Sequence, residues 1–264
     1  MKSKMILMVC IGVVLLAACG KEEKPAEDTG WCKESVDKYN EREKKQVEGY
    51  EIYNEDKEIY RYTCTIDKEQ MRTKRVYTDE PVSTYILNKE DGVWYYYGSE
   101  EDGTWYKSEA GEDAFDSDVQ SVDIFVTDET KYEIVGQEKL DGRAVTKVKL
   151  TTPKEDAFSG ALKEDDEKVE ELLKDEDFKK AYDAVKEEKN RVSYVWFDDE
   201  TKEPVKQERD TTKIQTVLYY YLKSSEGMEM KYDAVPESVV EVTLFFSEEP
   251  EEEIEIPQEN VQSI

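Results

Sequence analysis

The chain has no histidine among its 264 residues. That removes the side chain whose ordinary pKa lies nearest neutrality, and with it the commonest general base and metal ligand. No glycine-rich phosphate loop is present, and no serine can draw on a histidine partner, so neither phosphoryl transfer nor serine-type acyl transfer is signalled. Basic residues are few against acidic ones: 37 Lys and Arg face 65 Asp and Glu, a net charge of −28. A surface so charged repels nucleic acid and anionic lipid headgroups, and a nucleic-acid partner is excluded on that ground. Long apolar runs are missing too. The run from Met5 to Leu16 falls short of the ~20 residues that cross a bilayer. Cysteine occurs four times, and Cys10 lies inside that run.

The short run has its own meaning. Lys2 and Lys4 precede it and Leu16-Ala17-Ala18-Cys19 ends it, the pattern of a cleaved secretory signal over residues 1–18. The order of those last four residues resembles the bacterial lipobox. That resemblance implies that the Cys19 sulfur receives a diacylglyceryl group and becomes the first residue of a palmitate-bearing lipoprotein. Such a chain is anchored by lipid to the extracytoplasmic face of the cell membrane. The plainer reading is a signal peptide that happens to contain a cysteine. Two acyl chains hold a protein stably where one does not. The leader carries Lys2 and Lys4 and no acid, so its removal takes the net charge from −28 to −30. The tether, not surface charge, must then hold the protein at its membrane. Residues 19–31 are polar and read as the lipidated cysteine and a flexible stalk, leaving 32–264 as a single domain.

Cys32 and Cys64 remain. Outside the cell an even pair reads as a disulfide, which a chain-entropy argument values at about 3–4 kcal/mol. The alternative is two buried thiols.

The composition carries 18 Tyr, 7 Phe and 4 Trp. In Tyr60 to Ile66 the even positions are apolar or aromatic and the odd ones polar, the period of a half-buried strand. Met71–Tyr77 and Thr84–Leu87 follow. Asp91-Gly92-Val93-Trp94-Tyr95 is echoed by Asp102-Gly103-Thr104-Trp105-Tyr106, and Asp141-Gly142 repeats the signal. Asp-Gly between alternating stretches marks tight hairpins, because primed turns need positive φ. Val192–Phe197 and Pro204–Arg209 form a further hairpin, and Ser238–Phe246 another strand. Helices are expected over Lys33–Gln46, over Lys163–Lys189 with a break at Asp175-Glu176-Asp177, and after a cap at Asp210 or Thr211. Val119 to Val126 fits helix and strand equally. Ile254–Pro257 reads as a short terminal edge segment. Nine or ten strands with two or three inserted helices make an α+β fold: a large curved antiparallel sheet covered by helices.

The lipobox, the Asp-Gly-x-Trp-Tyr turn, Tyr132–Arg143, Trp196–Lys206 and the closing Ile254-Glu-Ile-Pro257 come in an order that resembles the LolA/LolB-like lipoprotein carriers and their LprG/LppX-like relatives. The likeness covers about residues 35–258. It implies a LolA-like unclosed barrel whose concave face takes a lipid or other hydrophobic ligand, with no enzymatic activity and no cofactor. Shuttling between two membranes is not implied, since the Lys-rich, acidic, Tyr-rich composition suggests a Gram-positive source. The second reading is a structural or sensory envelope lipoprotein with a filled core, acting through a protein partner that the sequence leaves unidentified.

Trp94, Tyr96 and Trp105 are the candidate ligand-contacting residues. The same aromatics fit plain core or cross-strand pairs. Asp113, Asp116, Asp118 and Asp123 are clustered oxygens of the kind calcium takes, but the loop lacks the EF-hand glycine, and no metal is assigned. No carboxylate pair is marked out for glycoside hydrolysis.

Overall fold

A computed structural model describes residues 29–78, 82–99, 103–154, 162, 166–224, 232–248, 250 and 253–263. The signal segment, Cys19 and most of the stalk lie outside the described residues.

Six strands come first: β1 (Lys44–Tyr53), β2 (Lys57–Asp67), β3 (Arg72–Tyr77), β4 (Ser83–Glu90), β5 (Val93–Ser99) and β6 (Trp105–Glu109). A second run follows: β7 (Lys131–Leu140), β8 (Arg143–Pro153), β9 (Asn190–Asp198), β10 (Pro204–Asp210) and β11 (Val239–Phe245). Each run is an antiparallel meander, and β11 pairs with β1 to join them into one sheet. The last strand, β12 (Val261–Ser263), lies parallel to β6. The order β12-β6-β5-β4-β3-β2-β1-β11-β10-β9-β8-β7 leaves β12 and β7 at opposite ends, so the curved sheet is unclosed. This is the expected α+β architecture. The hairpin signals act as expected: Asp91 and Gly92 have φ of 48° and 90°, Asp141 and Gly142 of 49° and 84°. Aspartate tolerates that region and glycine enters it without steric penalty.

Five helices are described: α1 (Gly30–Asn40), α2 (Ala114–Val122), α3 (Glu167–Leu172), α4 (Glu176–Lys186) and α5 (Thr212–Lys223). The expected break in the long helical segment is a capped restart. Asp175 accepts the N–H groups of Asp177 and Phe178, which satisfies donors that a helix start leaves open. Asp210 accepts the Thr212 N–H at 2.9 Å at the start of α5. Helices α3, α4 and α5 share a cluster around Val169, Phe178, Tyr182, Val185 and Val217. Tyr219 then joins Tyr232 and Val239, beside Tyr53 and Ile59 of the sheet.

Two expectations are corrected. The first helix is shorter than expected, and β1 begins at Lys44 inside the expected Lys33–Gln46 span. Trp31 sits edge-on to Phe197 at 5.2 Å. Ile254 is no strand residue: it is buried against Ile86 and Tyr97, and the terminal strand comes later.

α1 presents Cys32, Val36 and Tyr39, spaced as one helical face, to Val47, Cys64, Ile66, Val195, Phe197 and Phe245 of the sheet. Its end is clasped to the segment after α2. Asn40 Oδ1 accepts the Ile124 N–H at 3.0 Å and its Nδ2 donates to the Ile124 carbonyl at 2.9 Å. The Asn40 carbonyl accepts Lys45 Nζ at 3.1 Å and Lys68 Nζ at 2.7 Å. Replacing Asn40 by alanine removes the amide clasp and leaves Ile124 backbone groups unpaired. At about 1–3 kcal/mol for stranded buried groups, Asn40→Ala should lower Tm by several degrees, at ~2–4 °C per kcal/mol for a chain of this size. A thermal melt superimposable on that of the unaltered chain would show that α1 docks without the clasp.

Candidate functional site

The concave face of the sheet is divided along the strands. At one end its side chains are apolar and α1 lies on them. At the other end the sheet carries Glu51, Tyr62, Arg75, Arg191, Gln207, Arg209, Glu241 and Thr243 around a cavity of about 300 Å³. Gln120, Ser121, Asp123 and Phe125, from the end of α2 and the residues after it, roof it.

Local backbone features shape this floor. Tyr62 is paired with Gly49 across β1 and β2, and a Cβ on Gly49 would stand 2.3 Å from the Tyr62 ring. The glycine lets the ring lie against the strand. The register then shifts between Gly49 and Glu51, and Tyr60, at that bulge, has φ of 54°. A non-glycine residue held there costs on the order of 1–3 kcal/mol, and bulges of this kind gather beside functional sites. Tyr60 and Tyr62 both line the cavity. Tyr62, Tyr77 and Tyr85 continue as neighbouring rings at 5.7 and 5.9 Å across β2, β3 and β4.

The charges can be assigned one by one. Glu241 pairs with Arg209, and Asp123 pairs with the buried Lys45. Glu51 accepts the Tyr232 hydroxyl at 2.8 Å. Arg75 donates to Ser121 Oγ at 2.7 Å and lies over the Tyr62 ring at 4.9 Å, while its buried Nε has no hydrogen-bond partner. Arg191 stacks on Phe125 at 4.2 Å. Among the described residues neither Arg75 nor Arg191 makes an ion pair. Burial and the neighbouring Arg209 lower the pKa of Arg191. Burial pushes the Tyr62 phenol up to about 12, so it is a neutral hydrogen-bonding group at physiological pH.

The aromatics singled out from sequence fall elsewhere. Trp94 stacks on Phe115 of α2 at 5.4 Å, and Tyr96 packs against the same cluster. Trp105 packs with Tyr95 and Tyr97, on the other side of the sheet. None of the three lines the cavity. Asp118 takes the Thr73 hydroxyl, and no group of three or more metal-ligating side chains converges among the described residues. The cavity residues that sequence reasoning missed had one faint signal: Met71–Tyr77 alternates with basic residues, which sets Arg75 and Tyr77 on one face.

The Cys32–Cys64 disulfide expected from sequence is not shown. The structure does not bridge them; each is a buried thiol in the same core cluster, packed as a small apolar side chain. Burial pushes the Cys64 thiol up, away from the reactive thiolate.

Known proteins give distant likenesses. No protein-family model matches the chain, and no curated protein does. Among solved structures, the lipoprotein LppX of Mycobacterium tuberculosis aligns at 13% identity over 83% of this chain and 94% of its own, with a TM-score of 0.44. LprF from Mycobacterium bovis aligns at 11% over 86% and 94%, with a TM-score of 0.40. A LolA-superfamily protein from Nitrosomonas europaea aligns at 10% over 81% and 91%, with a TM-score of 0.26. The resemblance to LolA-like and LppX-like lipoproteins is thus met among structural neighbours; at these scores it bears no further weight.

Gly49→Ala should lower stability by about 1–3 kcal/mol, the usual cost of overpacking. In a Tyr62→Ala background the same change should cost almost nothing, since the ring that it would strike is gone. An equal cost in both backgrounds would refute the steric account. Denatured without reductant, the chain from residue 29 on should present two titratable thiols that are unreactive when folded; none would mean that the pair had oxidised.

Proposed function

We propose that this chain is an extracytoplasmic lipoprotein, held to its membrane through Cys19, which binds a ligand in the cavity on the concave face of its sheet and does not turn it over. The divided concave face carries the reading. A sheet that buried itself completely would leave no such space, and this one keeps a cavity floored by tyrosines and guanidinium groups. Pockets of ~300–1,000 Å³ with a few convergent polar groups are the usual form of a small-molecule site. Binding is favoured over catalysis because each carboxylate lining the cavity already holds a cation or a phenol. Among the described residues, α1 covers the apolar half of the concave face, and the cavity lies over the polar half.

The anchor rests on Lys2, Lys4, the apolar run and Leu16–Cys19. No described helix is long and apolar enough to cross a membrane. With a net charge of −30 after cleavage, the domain gains nothing from anionic headgroups. The filling of the apolar half by α1 also favours a second reading: a structural or sensory lipoprotein that works through a protein partner.

One fractionation tests both parts. The unaltered chain should stay with membranes through a high-salt wash, and Cys19→Ala should release it. Native mass spectrometry of the released chain, after incubation with an envelope extract, should show an added mass of a few hundred daltons that denaturation removes. A processed Cys19→Ala chain that stayed on the membrane would end the anchor reading. A bare, homogeneous mass would end the ligand reading and leave the partner-directed one.

A further inference from the structure

We infer that the ligand enters the cavity by an anionic group, a carboxylate or phosphate, held between Arg75 and Arg191. The inference rests on reading the cavity as the ligand site and names the chemistry of what fills it.

The charge assignment points there. Three guanidinium groups line the space, and among the described residues only Arg209 has a carboxylate partner. Asp123 is taken by Lys45, and Glu51 by the Tyr232 hydroxyl. Among the described residues, neither Arg75 nor Arg191 therefore forms an ion pair; Glu241, the carboxylate that acts on Arg191 across the cavity, is already paired with Arg209. A cation removed from water with no counter-charge is costly, and a donor left unmet adds to that cost. Arg75 carries both burdens, because its Nε is buried and unpartnered. Its oxygen partners, Ser121 Oγ from the roof and the Tyr77 hydroxyl, are neutral groups. Arg191 is held by its flat face on Phe125, which leaves the N–H edge of the fork to meet something else. Two planar forks facing one polar space suit an acceptor with two or three oxygens, which each can grip bidentately. The neutral phenol of Tyr62 beside Arg75 adds a donor without adding charge.

The size of the space limits the rest. About 300 Å³ holds a headgroup and a short body rather than two acyl chains. The anion is therefore either a small free molecule or the head of a single-tailed amphiphile. A tail would leave past Phe125, which is 43% exposed.

Isothermal titration of the full chain with three probes tests this: octyl phosphate, octyl glucoside with the same tail and a neutral head, and inorganic phosphate. Octyl phosphate should bind at least tenfold more tightly than octyl glucoside. Arg75→Gln and Arg191→Gln should each weaken octyl phosphate by about ten- to a hundredfold, as expected for a lost charge-assisted pair, and Arg191→Lys by less. Inorganic phosphate binding as tightly as octyl phosphate would identify a free small anion. Binding more than tenfold weaker would identify an amphiphile headgroup. Equal affinity for the two octyl probes, with no loss in either glutamine variant, would overturn the anion assignment. The comparison of the octyl probes uses the unaltered chain, so it stands even where an arginine variant fails to fold. Gln120→Trp, at an exposed roof position, separates the two claims. It should abolish binding of every probe that enters the cavity; probes binding undiminished would refute the cavity itself as the ligand site.

Discussion

Lys45 carries an ammonium group to a position only 1% exposed, and the arrangement of the concave face follows from what that group requires. Burial lowers its pKa. Three neighbours oppose this: the Asp123 carboxylate, the Asn40 carbonyl and the face of the Tyr39 ring at 5.2 Å. They belong to the segment after α2 and to the end of α1. Both must therefore reach β1 at one point, and the Asn40 amide ties them there through Ile124. On one side of that point α1 covers the apolar half of the sheet. On the other, the residues that follow α2 roof the cavity. Because a stranded buried charge is among the costlier defects a fold can carry, the boundary between filled core and open site is held in place.

Much of the sheet was legible before any coordinates. Period-two alternation in β2, and the Asp-Gly turns, follow from side-chain geometry that no tertiary contact overrides. β1 was not legible, and the reason is its role. Its inward residues are Lys45, Val47, Gly49 and Glu51, three of them non-apolar, because the strand runs under the Lys45 contact and the cavity floor. A strand that lines a polar site shows no apolar alternation to read. The cavity was hidden for a related reason: its arginines come from β3, β9 and β10, and only the order of the sheet brings them together.

The conspicuous tryptophans misled through their own regularity. Trp94 and Trp105 hold equivalent places after two Asp-Gly turns, which suggests equivalent roles. Yet Trp105 pairs with Ser99, an odd number of residues from Trp94 along β5, and successive side chains on a strand alternate faces. One tryptophan therefore meets α2 and the other meets the C-terminal residues Ile256 and Val261. The motif repeats in sequence while its environment inverts.

One of the sheet's three register shifts among the described residues lies beside the cavity. Gly49 gives up a side chain so that Tyr62 can lie against the backbone, and Tyr60 occupies a left-handed conformation at the bulge beside it. Neither arrangement strengthens the sheet. Glycine within a strand weakens it, and a tyrosine at positive φ is strained. Together they turn aromatic surface toward a space that also holds two guanidinium groups without carboxylate partners. A sheet selected for stability alone would replace Gly49, straighten the bulge and place an acid against each arginine. This chain, with acidic residues in excess almost everywhere else, does none of these at the one place where they would close the cavity. Such local costs, gathered beside one opening and compensated by the core next to it, are what supports reading that opening as a ligand site.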